Sequence, residues 1–144
     1  MRLSAKAQYA CVAMVDLACS HGLAQPVHLK DIAAHHGISP RFLVQILLQL
    51  KAQGLVESTR GAGGGYQLAK PPTHITLADI LHAVDHLAPS MPMALPGLQT
   101  TPAVQTLCAV LQDVHHRQEQ RLAEITLADL ARRSQPMGDP IYQI

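Results

Sequence analysis

The segment LKDIAAHHGISPRFLVQI, residues 29–46, decides the fold. It predicts a helix from about Lys30 that ends at Gly37, because glycine readily adopts the left-handed conformation of a tight turn. Ser39 is expected to cap a second helix. Pro40 suits the first position of that helix, where a backbone N–H would have no helical partner. The second helix is predicted to run to about Gln53.

Two helices joined by so short a turn predict a helix–turn–helix. Ala33 falls where the helices cross, and its small side chain allows close approach. The wedge between the helices is expected to be filled by four apolar residues, Ile32, Ile38, Leu43 and Ile46. An ordinary helical hairpin is the alternative, but several positions that meet separate steric demands favour the DNA-binding motif.

A β-hairpin is predicted directly after the second helix. Residues 55–60 form its first strand, the glycine-rich residues 61–65 its tip, and residues 66–70 its returning strand. The tip is not followed by Lys and Ser or Thr, and it does not lead from a strand into a helix, which disfavours a nucleotide-binding P-loop. The hairpin is therefore interpreted as the wing of a winged helix.

The first helix is predicted over about residues 5–20, with Ser4 as its cap. Apolar residues lie on nearly every side of this helix, so we expect it to pack on its own domain and on a second surface, such as another subunit. Residues 27–29 are a candidate short strand.

The pentapeptide Ile-Thr-Leu-Ala-Asp occurs at residues 75–79 and 125–129, and each copy predicts a capping box at the start of a helix. The first of these helices is expected to end near Leu87 and the second near Arg133. Between them, proline-rich residues 88–102 predict a loop. A long helix follows to about Glu124, with an apolar stripe of Val104, Leu107, Leu111 and Val114.

Composition places the chain among globular proteins. Its 144 residues are 48% hydrophobic and 15% charged, which indicates a single domain and excludes general disorder. Aromatic residues make up 3%, too few for the sheets on which RNA-binding proteins stack bases. No apolar run reaches the roughly 18–20 residues of a membrane span and no signal peptide is evident. We therefore expect a cytoplasmic protein.

Charge is distributed unevenly along the chain. The net charge is +1, but residues 1–70 carry +4 and residues 71–144 carry −3. The basic half can supply the attraction for phosphate on which DNA affinity depends.

The chain resembles the Rrf2 family of bacterial winged-helix transcription regulators over nearly its whole length. The resemblance rests on the opening MRLSAKAQYA, the helix–turn–helix, the wing RGAGGGYQL and both Ile-Thr-Leu-Ala-Asp segments. It implies a mainly α fold with a small β-wing. Residues 1–72 would form a winged helix-turn-helix DNA-binding region. Residues 73–144 would supply a linker helix, a proline-rich loop, a long dimerisation helix and a short final helix. It also implies a homodimer that binds a two-fold-related operator in double-stranded DNA.

Family members that bind an iron–sulfur cluster carry three cysteines in the loop before the long helix and at the start of that helix. The corresponding loop here, residues 88–98, has no cysteine, and only Cys108 lies nearby. A cluster needs about four soft or imidazole ligands. We therefore expect no cluster of the usual family type and no other cofactor.

The second helix of the helix–turn–helix is expected to bind base edges in the major groove. Its predicted outer face presents Arg41, Val44 and Gln45, with Phe42 at the flank. Arg41 suits guanine or a phosphate, and Gln45 suits adenine. Val44 or Phe42 could contact thymine methyl groups, although a core position for Phe42 is an equal alternative.

Four further residues are candidate DNA contacts. Ser39 and the adjoining amides suit a phosphate, and Arg60 beside the wing tip suits a narrow minor groove. Arg2 and Lys6 are candidate contacts to the DNA backbone.

Nine histidines raise the question of a metal site. Asp79, His82 and His86 would share one helical face, which is a weak candidate for divalent-metal binding. The adjacent histidine pairs at residues 35–36 and 115–116 are expected to point in different directions. Because no closed ligand set is visible, exposed polar helix faces are the favoured interpretation, and no metal is assigned.

The sequence therefore predicts a homodimeric DNA-binding repressor with an unknown small-molecule or redox effector. Cys108 is a candidate redox-sensitive thiol, and a small buried apolar role is its alternative. No catalytic motif predicts an enzyme. The alternatives are a metal- or thiol-responsive sensor that uses His82 and His86 or Cys108, and a winged-helix protein-interaction module that does not bind DNA.

Overall fold

The computed structural model describes residues 1–23, 25–85 and 97–135. The prediction of a mainly helical chain with a small β-wing is confirmed. Most of the predicted proline-rich loop, the end of the helix predicted to reach Leu87, and the tail lie outside the described residues. The elements in chain order are α1 (Ala5–Cys19), α2 (Leu29–His36), α3 (Pro40–Ala52), β1 (Val56–Thr59), β2 (Gly65–Leu68), a short 3-10 helix (Pro72–His74), α4 (Leu77–Asp85), α5 (Pro102–Glu124) and α6 (Leu127–Ser134).

The helix–turn–helix forms as its steric pattern predicts. α2 ends at Gly37, whose φ of 66° lies in the left-handed region that favours glycine. The N–H of Ile38 donates to the carbonyl of Ala33 over 3.0 Å and closes the turn. Ala33 is buried at the helix crossing, and the four predicted wedge residues are buried with it.

α1 runs through the centre of the molecule and contacts α2, α3, α4, α6 and β2. Ala7, Ala10 and Ala13 are fully buried, and their small side chains allow neighbouring helices to approach closely. Ser4 caps α1 as predicted, because its Oγ accepts from the N–H of Ala7 over 3.0 Å. The same hydroxyl donates to Asp85 over 2.8 Å and so links the start of α1 to α4.

The opposite flank of α1 lines an apolar groove of about 560 Å³. The apolar residues of this groove come from the N-terminus, α1, α4 and α6, namely Leu3, Cys11, Val12, Val15, Leu77 and Leu130. α1 is therefore apolar on a side that the described part of the chain leaves open.

The two Ile-Thr-Leu-Ala-Asp segments meet in space. Both predicted capping boxes form, with the N–H of Thr76 donating to Asp79 over 2.9 Å and that of Thr126 to Asp129 over 3.1 Å. The segments also bond to each other, because the N–H of Leu77 donates to the carbonyl at residue 125 and that of Leu127 to the carbonyl at residue 75, both over 2.8 Å. The pairing holds the starts of α4 and α6 side by side.

The wing is a two-stranded antiparallel hairpin in which Val56 lies opposite Leu68. Both strands are shorter than predicted. The predicted strand over residues 27–29 is reduced to Val27, which exchanges two 2.8 Å hydrogen bonds with Tyr66. Lys51 on α3 donates to Ser58 on β1 over 2.7 Å. The hairpin is thus fixed to both sides of the helix–turn–helix.

The wing tip tolerates no side chain at Gly64. A Cβ there would overlap the carbonyl oxygen of Thr59, whereas a Cβ at Gly63 would meet nothing within 4 Å. We expect Gly64→Ala to lower the free energy of unfolding by about 1–3 kcal/mol through this overlap. Gly63→Ala should change it by less than about 0.5 kcal/mol. Urea unfolding of both variants tests this difference, and equal effects would contradict the described tip.

The pKa of Asp129 is lowered from its usual 3.8 to about 2, chiefly because the backbone N–H of Thr126 donates to its carboxylate. A folded-state pKa below the unfolded one stabilises the fold above pH 3.8, and this stabilisation is lost as the pH falls toward 2. We expect Asp129→Asn to lower Tm at pH 6 and the difference from wild type to shrink on acidification. Asp113→Asn, at an exposed carboxylate on α5, is the control. A difference that grows below pH 3.8 would contradict this prediction.

Candidate nucleic-acid interface

The outer face of α3 presents three residues at helical spacing. Arg41 and Gln45 are exposed, and Leu48 follows three positions later with 49% of its surface exposed. The predicted inner face, Leu43, Ile46, Leu47 and Leu50, is fully buried. Leu48 was not among the sequence-based candidates, although its spacing of seven residues from Arg41 indicates the same face.

The flanks of α3 hold the two other candidates from this helix. Val44, predicted on the same outer face as Arg41 and Gln45, is half-buried. Phe42 is 37% exposed, and its ring stands edge-on to that of Tyr9, with centroids 5.6 Å apart. Phe42 thus packs against α1 while keeping part of its surface open, so it combines the two roles that the sequence left as alternatives.

Ser39 occupies the N-cap position of α3 as predicted, but its side chain makes no capping hydrogen bond. Its carbonyl instead accepts from the N–H of Phe42 over 3.1 Å and of Leu43 over 3.0 Å. Pro40 has no N–H and that of Phe42 already has an acceptor, so of the first three residues of α3 only Arg41 keeps an N–H that the hydroxyl could accept from. The prediction of a side-chain cap is therefore wrong.

The remaining candidates lie on the wing and at the N-terminus. Arg60 is exposed and follows β1 directly, before the tip. Arg2 is exposed ahead of α1, and Lys6 is half-buried in the first turn of α1. None of them belongs to α3, so the candidate surface draws on three separate parts of the chain.

Among the described residues, no lysine or arginine of residues 1–70 has a carboxylate oxygen within 4.0 Å. Within residues 1–23, 25–85 and 97–135, the arginines that lie within 4.0 Å of a carboxylate oxygen are Arg117, Arg121 and Arg132. No described contact of this kind involves any of the seven Lys and Arg residues before residue 71. The positive charge of this half is therefore not locally neutralised and can attract phosphate.

Among the residues that the structure describes, Asp79 and His82 of α4 belong to no group of three possible metal ligands. Asp79 accepts the hydrogen bond of its capping box, and His82 Nε2 lies 2.9 Å from Glu119 Oε2 on α5. His86 lies outside the described residues. A different group of possible ligands does come together, Asp16 with His35 and His36. The prediction that the side chains of residues 35 and 36 point apart is wrong, because both contact this carboxylate.

Cys11, Cys19 and Cys108 are free and half-buried. Burial and the charge of Asp85 raise the pKa of Cys11 from 9.0 to about 11, and burial and the charge of Asp16 raise the pKa of Cys19. Cys108 on α5 joins no group of three possible metal ligands among the described residues. These donors do not fit an iron–sulfur cluster held by one chain, which needs about four.

Comparison with known proteins finds similarity to transcriptional regulators. Residues 3–133 match the family model Rrf2, described as an iron-dependent transcriptional regulator. Rv1287 of Mycobacterium tuberculosis, for which a function as an HTH-type transcriptional regulator has been suggested, is 42% identical over 132 residues. That alignment covers 91% of this chain and 81% of Rv1287.

Solved structures agree with this match. This chain superposes on the structure of CymR, the global cysteine regulator of B. subtilis, with a TM-score of 0.78 at 33% identity. The superposition covers 94% of this chain and 99% of CymR. The IscR of T. potens gives a TM-score of 0.74 at 35% identity and covers 94% of this chain and 89% of IscR.

At the start of α3, the contribution of the Ser39 side chain to stability can be measured apart from any contact with DNA. Because the Ser39 side chain makes no cap, we expect Ser39→Ala to change the free energy of unfolding by less than about 0.5 kcal/mol. Thr126→Ala removes a cap that does form and should cost about 1 kcal/mol. Urea unfolding of the two variants checks this, and an equal loss at both sites would show that Ser39 does cap α3.

Proposed function

This chain belongs to the Rrf2 family of transcriptional regulators, and on that premise we propose that it is a repressor that binds a two-fold-related operator as a homodimer. The family consists of transcriptional regulators and not of enzymes. Because the proposed partner is chromosomal DNA, the protein acts in the cytoplasm.

The observation that carries the proposal is the exposed face of α3, together with lysines and arginines that pair with no carboxylate in the described part of the chain. In a helix–turn–helix, the first turns of the second helix enter the major groove. Arg41 is placed to pair with guanine or a phosphate, and Gln45 four residues later to pair with adenine. Leu48 on the same face and Phe42 at the flank supply apolar surface for thymine methyl groups. Val44 is half-buried and supplies less of this surface.

Contacts to phosphate fix the orientation of the helix on the duplex. The hydroxyl of Ser39 and the N–H of Arg41 form a site that suits a phosphate, since a helix N-terminus attracts anions. Arg60 on the wing would contact the minor groove, where a narrow A/T-rich stretch attracts cations. Arg2 and Lys6 add charge for the backbone at the start of α1.

Arg41 and Arg60 are expected to contribute in different ways. Arg41→Ala should weaken binding by about 1–3 kcal/mol and relax the preference at one base pair. Arg60→Ala should weaken binding to all sequences and reduce the slope of log affinity against log salt by about 1. The assay is fluorescence anisotropy between about 50 and 200 mM salt, on fragments that the protein selects from genomic DNA.

Arg117→Ala provides the matched control. This arginine is exposed but lies on α5 and pairs with Asp113, so its loss should leave DNA affinity unchanged. If the protein selects no fragment, or binds DNA with an affinity independent of salt and of both arginines, it is a protein-interaction module and the proposal fails.

The homodimer is proposed from surfaces that one chain leaves uncovered. Within the 23-residue α5, Leu122 is the buried residue, whereas Leu107, Val110 and Val114 are 49%, 54% and 55% exposed. These three positions share one helical face. A second copy would cover this stripe and the apolar groove beside α1.

Residues 1–72 would then bind DNA, and residues 73–144 would dimerise together with the side of α1 that lines the groove. The two regions would differ in function but are not separate structural domains, because both contribute residues to a single hydrophobic core.

Charges on the exposed stripe should separate the subunits. We expect Leu107→Glu with Val114→Glu to shift the solution mass from twice 15.5 kDa to 15.5 kDa, because buried carboxylates without partners are costly. Gln105→Glu, exposed on the opposite side of α5, should leave the dimer intact. Light scattering after size exclusion measures the mass, and a doubly substituted protein that stays dimeric would place the interface elsewhere.

The effector is proposed to be a small molecule or a redox signal. Cys108 stays a candidate thiol because it is half-buried on the helix proposed for dimerisation, where a change at sulfur could alter the interface. We propose no cluster of the usual family type, because residues 88–98 contain no cysteine.

A further inference from the structure

Three side chains that bind metals well converge between α1 and α2. His35 and His36 are the last residues of α2, and Asp16 lies on α1. His35 Nδ1 is 3.3 Å from Asp16 Oδ1, and His36 Nε2 is 3.2 Å from Asp16 Oδ2. One donor atom from each residue lies within 4.8 Å of the other two. From this arrangement we propose that Asp16, His35 and His36 bind a divalent transition-metal ion.

The donor spacing fits an ion. In a tetrahedral site with bonds of about 2.0–2.1 Å, neighbouring ligand atoms lie about 3.3 Å apart. Asp16 Oδ2 lies 3.5 Å from His35 Nδ1 and 3.2 Å from His36 Nε2, close to this value, so coordination through that oxygen requires little movement. Water can complete the coordination on the side of His35, whose side chain is 67% exposed, whereas those of Asp16 and His36 are 15% and 26% exposed.

The donor types select the class of ion. Two imidazoles and one carboxylate suit zinc and divalent iron, whereas magnesium prefers oxygen ligands and keeps its water. Cys19 lines the same groove as the three ligands. Cys19 is not assigned as a ligand, because the group of donor atoms that lie within 4.8 Å of one another comprises Asp16, His35 and His36.

An ion bound by these three residues would link the end of α2, and with it the helix–turn–helix, to α1. His36 directly precedes Gly37, and α3 begins only three residues after that glycine. Fixing the end of α2 limits the positions that α3 can take and lowers the entropy lost when α3 binds DNA. The ion is therefore expected to increase DNA affinity, a regulatory role that rests on the proposed function.

The test is calorimetric titration of the reduced full-length protein with zinc chloride at pH 7.5. We expect one ion per chain, with Asp16→Asn and His36→Gln each weakening the affinity at least about tenfold. His82→Gln and Cys19→Ser should retain the wild-type affinity, and magnesium chloride should produce no binding. Circular dichroism of the metal-free variants establishes that they are folded. No zinc binding, equal affinity in Asp16→Asn and His36→Gln, or loss of binding in Cys19→Ser would overturn the assigned ligands.

A second measurement separates the site from its regulatory role. DNA affinity is measured with and without one equivalent of zinc, for wild type and Asp16→Asn. A gain in wild type alone supports the regulatory role. Zinc binding with unchanged DNA affinity overturns that role and leaves the site standing. Zinc binding by a protein that binds no DNA supports the site and refutes the proposed function.

Discussion

The burial of α1 is the constraint on which the other features depend. Its stripe of Ala7, Ala10 and Ala13 has no exposed surface, and this lets α3, α4 and α6 pack around one axis. A larger residue in the stripe would push these helices apart and displace the face of α3 that carries Arg41. The other flank of the same helix lines the apolar groove and carries Asp16. α1 therefore joins the side of the molecule that is proposed to contact DNA to the sides where a partner chain and an ion are proposed to bind.

The fold holds its candidate DNA contacts on elements that are fixed from several directions. The wing is tied to the segment before α2 through Val27 and Tyr66, and to α3 through Lys51 and Ser58. These contacts keep Arg60 in a defined position relative to Arg41. The carboxylates that pair with arginine lie far along the chain, on α5 and α6.

Features that depend on local sterics could be predicted from the sequence. Gly37 and both capping boxes formed as expected, because backbone conformation and near neighbours decide them. The pairing of the two boxes could not be predicted, since it depends on where distant segments pack. The same limit explains the wrong prediction for His35 and His36. Neighbouring helix positions diverge by about 100°, but a carboxylate on α1 draws both rings together at the end of α2.

Hydrogen–deuterium exchange of the protein with and without a DNA fragment that it selects tests the central claim most directly. The account predicts new protection at the start of α3 and at the wing tip, with α6 unchanged, because only the first two surfaces are proposed to contact the duplex. Protection confined to α5 and α6, with α3 exchanging as freely as in the unbound protein, would contradict it.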